Sequence, residues 1–120
     1  MGYEDFVNGL RALGYDVREL GSNRVAFPYE VPTGKFAGKQ IELGFVGPGD
    51  FPLTPPSGPH ISPQLLPITG GGGTHPAGGV HNSDFGPTWE YWSRPLSHWA
   101  QTKRTVRDVM AHVHHLFDTQ

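Results

Sequence analysis

At 120 residues and a formal charge of −2, the chain is long enough for one packed core and too acidic on balance for nucleic acid as its main partner, because phosphate binding wants a clustered positive field. It contains no Cys, which removes disulfides, thiolate metal sites and a cysteine nucleophile together, so covalent chemistry has to run through Ser, Thr, Lys, Asp, Glu, Tyr or His. No apolar run approaches the ~20 residues that span a bilayer, and Met1 to Leu10 lacks a basic-then-apolar leader pattern, so a cytoplasmic protein without a membrane partner is expected.

Along the chain, Tyr3 to Leu13 reads as a helix, with Phe6, Val7, Leu10 and Leu13 on one face and Gly14 as its stop. Tyr15, Val17 and Leu20 open an extended segment that turns at Gly21-Ser22-Asn23. Val25, Phe27, Tyr29 and Val31 then alternate along a strand, and Pro28 on the opposite parity predicts a sheet edge or a bulge there. A second alternating run, Ile41, Leu43 and Phe45, completes a three-stranded antiparallel meander. Gly47 to Thr88 is dense in Gly and Pro, and residues 57–88 are expected to be irregular, ordering on a partner. The aromatic run Trp89 to Trp99 follows, with Tyr91 and Trp92 on opposite faces. The last element is a helix from about Thr102 to Asp118, with a threonine as N-cap and a stripe of Val106, Val109, Met110, Val113, Leu116 and Phe117. This order gives an α+β fold in a single domain over residues 1–120, with helices against an antiparallel sheet.

The order and its motifs resemble the ubiquitin-conjugating fold. Gly49-Asp50-Phe51-Pro52-Leu53-Thr54-Pro55-Pro56 is similar to that family's aromatic-proline, x-x, proline-proline signature, and His75-Pro76 to its histidine-proline-asparagine motif, with Ala77 in the asparagine's place. Trp99 resembles the tryptophan that follows the family's active-site segment. The run Trp89-x-x-Trp92-Ser93-Arg94 is similar to a bacterial, cysteine-lacking subgroup encoded beside ubiquitin-like proteins and activating enzymes. The resemblance implies a UBC-like fold and a transferase role in ubiquitin-like conjugation. It also implies partnership with a ubiquitin-like protein and its activating enzyme, and service in antiphage defence.

Without a thiol, two roles follow. In the first, a serine carries the ubiquitin-like C-terminus as an oxyester, which requires a base and donors for the developing charge. Ser93 leads: it lies in the segment where the family has its cysteine, closer to Trp99, with Arg94 beside it to meet negative charge. A hydroxyl capping a turn before Pro95 is the plain alternative for that residue. Ser83 competes, in His81-Asn82-Ser83-Asp84, and His75, His81 and His98 are candidate bases. In the second role the domain is inert and only binds and positions the ubiquitin-like protein. Metal hydrolysis through His60, His75, His81 and Asp84 matches no zinc spacing, and His112, His114 and His115 read as a solvated helix face. Neither a metal nor another cofactor is expected.

Overall fold

The computed structural model describes residues 2–65, 80–92 and 96–119, and for His81 the backbone alone. Helix α1 spans Tyr3–Ala12. Six antiparallel strands follow: β1 Arg18–Gly21, β2 Arg24–Glu30, β3 Gln40–Val46, β4 His60–Ser62, β5 Val80–Asn82 and β6 Glu90–Trp92. A 3-10 turn at Trp99–Gln101 leads to helix α2, Val106–Thr119. The strands form one sheet in the order β1-β2-β3-β4-β6-β5, so a four-stranded meander is extended by a hairpin whose second strand lies beside β4.

Two expectations are corrected here. The meander has four strands instead of three, and residues 57–88 are not irregular throughout, since β4 and β5 come from them. Both are three-residue strands, too short to show alternation. β4 is also bracketed by Pro59 and Pro63, which punctuate the sequence as a loop would. The start of α2 is corrected as well. Thr102 is extended and Arg104 sits at φ 57, so the helix cannot begin before Thr105. Thr105 accepts the Asp108 N–H at 3.3 Å while the Asp108 carboxylate accepts the Thr105 N–H at 2.9 Å, a reciprocal cap.

The predicted faces hold. Phe6, Val7 and Leu10 of α1, Phe27 and Val31 of the β2 run, Leu43 and Phe45 of β3, and the full α2 stripe are buried in one cluster. Trp92 is the inward member of its pair and meets Phe117 at 5.3 Å between ring centroids. Pro28 lies in β2, which has neighbours on both sides. Its pairing with β1 ends at Ala26, so Pro28 faces only β3, opposite Glu42, and its missing N–H interrupts no ladder on the other side.

The helices touch where Gly9 faces Val106. A Cβ at Gly9 would stand 2.4 Å from Val106 Cγ2, well inside van der Waals contact. Gly9→Ala is therefore expected to lower stability by about 1–2 kcal/mol despite alanine's better helix propensity. In a Val106→Ala background, where the 2.4 Å contact is gone and Val106 Cβ remains at 3.1 Å, the same change is expected to cost less. Chemical denaturation of the four proteins measures this, and an equal cost in both backgrounds would dismiss the helix contact as the cause.

Candidate functional site: a serine and a histidine on the outer sheet face

The sheet face turned away from the helices is built for insertion. Along one cross-strand row stand Ala26, Gly44, His60 and Tyr91, paired in register through β2, β3, β4 and β6. Ala26 and Gly44 are small, and the room above Gly44 is filled by Phe85 and Trp89: a Cβ there would approach the Phe85 ring to 2.5 Å. Phe85, just after β5, then lies flat on the His60 imidazole (centroids 4.2 Å, 25° between planes), while Tyr91 closes the other flank at 4.7 Å. The two neighbours leave His60 only 6% exposed and fix its ring.

Ser83 sits in the β5–β6 connection and is half-buried. Its Oγ lies 2.7 Å from His60 Nδ1 and accepts the Phe85 N–H at 3.0 Å. That backbone donor fixes the hydroxyl oxygen from one side, and in the imidazole tautomer that carries its proton on Nε2 the hydroxyl donates to His60 Nδ1. Burial drives the His60 pKa down to about 4, with the Arg24 charge adding to the fall and the Asp84 charge opposing it. The imidazole is thus neutral at pH 7. Arg24 and Asp84 are themselves paired at 3.2 Å, and Arg24 also lies over the Phe85 ring at 5.9 Å.

Of the two serines proposed as nucleophile from sequence, Ser83 is the one that the structure describes. Ser93, Arg94 and His75 lie outside the described residues, as does the His81 side chain; the His81 backbone is in β5 opposite Tyr91. His98, a further candidate base, contacts Gln101 at 3.1 Å and lies beyond the aromatic cluster. The partner of Ser83 is instead His60, which the sequence offers only as a metal ligand. Its signal was present in the run Gly58-Pro-His-Ile-Ser-Pro63, but a histidine between prolines has no period to place it. Among the described residues, no group of three or more His, Cys, Asp or Glu is arranged to hold a metal ion.

Two further features frame the site. Glu90 is fully buried on the helix side of the sheet, where its Oε1 accepts the Leu65 N–H at 2.8 Å and the Trp92 indole N–H at 2.9 Å. Its parity with Trp92 was readable, but an acidic residue at a core position is normally assigned outward. Elsewhere, Leu96, Trp99, Asp108, His112 and His115 line a cleft of about 280 Å³ between the 3-10 turn and α2. His115 is exposed there and His112 half-buried, and the Asp108 carboxylate is engaged in capping α2.

Two of the segments that carried the resemblance meet in space. Trp99 donates its indole N–H to the Pro52 carbonyl at 2.8 Å, and its ring lies 5.9 Å from Phe51, across 47 residues of sequence. Phe51 in turn packs edge-on against Phe6 of α1 at 5.2 Å, and the Phe51–Pro52 peptide bond is cis. The chain matches no family model, no curated protein and no solved structure. What these residues show by themselves is an α+β fold with a neutral, ring-clamped histidine hydrogen-bonded to a serine.

Proposed function

We propose that the chain is a ubiquitin-conjugating-enzyme-like component of a bacterial ubiquitin-like modification pathway, which carries the ubiquitin-like C-terminus on a serine. Support for the fold part of this reading comes from the order helix, meander, proline-rich connection, tryptophan, helix, together with the junction of Phe51-Pro52 and Trp99. Support for the chemistry is one observation: the Ser83 hydroxyl is held against an uncharged imidazole nitrogen at 2.7 Å. In the transfer, Ser83 Oγ bonds the thioester carbonyl carbon presented by an activating enzyme, the carbon–sulfur bond breaks, and the hydroxyl proton ends on the departing thiolate. The product oxyester then offers the carbonyl to a target amine.

A second reading, an inert domain that binds and positions the ubiquitin-like protein, is favoured by a different observation. His60 is buried and a weak base, and a base performs best with a pKa near the working pH. The two are separated by incubating the chain with its cognate activating enzyme, ubiquitin-like protein and ATP. The carrier reading expects an adduct that survives thiol reductant, breaks in mild base, is absent in Ser83→Ala and persists in Ser93→Ala. Retention in Ser83→Ala with loss in Ser93→Ala would move the site to Ser93. Tight binding with no adduct under any condition would leave the inert domain.

A further inference from the structure

The contact between Ser83 and His60 carries a consequence independent of any protein partner. We propose that Ser83 and His60 form an intrinsic acyl-accepting pair, with His60 as the base, which takes activated carboxyl derivatives such as thioesters and the phosphonyl fluorides that mimic them. The natural donor of the acyl group rests on the carrier reading above; the reactivity of the pair does not.

Three geometric facts support it. First, the nucleophile and the base lie within hydrogen-bond reach, 2.7 Å from Oγ to Nδ1. Second, the Phe85 N–H at 3.0 Å fixes the position of Oγ beside the imidazole. Third, the base is held without a carboxylate: Phe85 and Tyr91 clamp the ring from its two sides, and its backbone is fixed in β4 between β3 and β6. An ordinary serine–histidine site orients its imidazole with a hydrogen-bonded acid. Here aromatic packing performs the orientation, and the nearest charges, Arg24 and Asp84, are spent largely on each other.

The step balances without any further reactant. With a thioester, the Oγ–carbon bond forms, the carbon–sulfur bond breaks, and the Oγ proton passes through Nδ1 to the thiolate. With a phosphonyl fluoride, the Oγ–phosphorus bond forms, fluoride departs, and the proton goes through Nδ1 to solvent. The weak basicity of His60 makes both steps slow, which suits an activated donor and also leaves water a poor attacker of the resulting ester.

The test uses the full chain and a fluorophosphonate probe, read by intact-protein mass and peptide mapping. One adduct on Ser83 is expected, absent in Ser83→Ala and formed about 100-fold more slowly in His60→Gln. Should His60→Gln unfold, the pH profile of the unmodified chain decides. Because His60 takes up its proton only near pH 4, labelling is expected to hold steady from pH 7 to pH 5 and fall below that. No adduct, an adduct on another residue, or a profile that falls with a midpoint near 6.5 would overturn the pair. Labelled Ser83 with no ubiquitin-like adduct keeps the pair and removes the carrier reading, whereas an adduct on Ser93 beside an unreactive Ser83 does the reverse.

Discussion

Acidification from pH 7 to pH 4 is expected to lower the stability of the fold by up to about 3 kcal/mol through His60 alone. In the unfolded chain this imidazole takes a proton near its ordinary 6.5, whereas burial keeps it neutral in the fold down to about 4. Between those values the unfolded state binds the proton that the folded state refuses, so stability falls as pH falls. The contribution is complete above pH 6.5 and lost by pH 4, below which the offset is constant. For a domain whose whole stability is about 5–15 kcal/mol, this is a large share. Urea denaturation at pH 7, 5.5 and 4.5 gives the slope, and His60→Gln is expected to remove one proton's worth of it. An identical slope in that variant would refute the assignment to His60.

The second large effect is expected at Gly34, in the connection between β2 and β3. Its φ of +79 favours glycine, and a Cβ built there would fall 1.8 Å from the Phe117 carbonyl oxygen and 2.8 Å from its carbon. Both atoms are backbone, so no rotamer change relieves the overlap. The end of α2 and the turn would have to separate, breaking the bond from Thr33 Oγ1 to Asp118 Oδ1 at 2.8 Å. Gly34→Ala is expected to cost about 3–4 kcal/mol, with a Tm lowered by about 10 °C or more. Gly38→Ala is the control: φ is +88 but nothing lies within 4 Å of the built Cβ, so only the backbone cost of about 1 kcal/mol applies. Equal losses at the two positions would show that the α2 contact contributes nothing.

The long periodic elements were legible in the sequence because each carries enough residues to display a period. α1, β2, β3 and the α2 stripe are of this kind, and parity put one of Tyr91 and Trp92 inward without saying which. What escaped were the elements whose position is decided by partners. β4 and β5 are strands because β3 and β6 pair with them, not because three residues declare a pattern. The site was hidden for the same reason. Ser83 stood out through its polar neighbours, but its contact with His60 arises from register: Gly44 opposite His60 leaves space for Phe85, and Phe85 brings Ser83 over the imidazole. A pairing of two residues 23 apart through a third strand's missing side chain has no local signature.

The buried carboxylate of Glu90 has an architectural result. Leu65 ends its run on that carboxylate, and Val80 resumes the chain opposite Trp92, so both mouths of residues 66–79 are fastened to the single strand β6. One carboxylate therefore secures both the exit from β4 and the indole of Trp92, whose ring packs on Phe117, so the sheet edge and the end of α2 answer to the same buried residue.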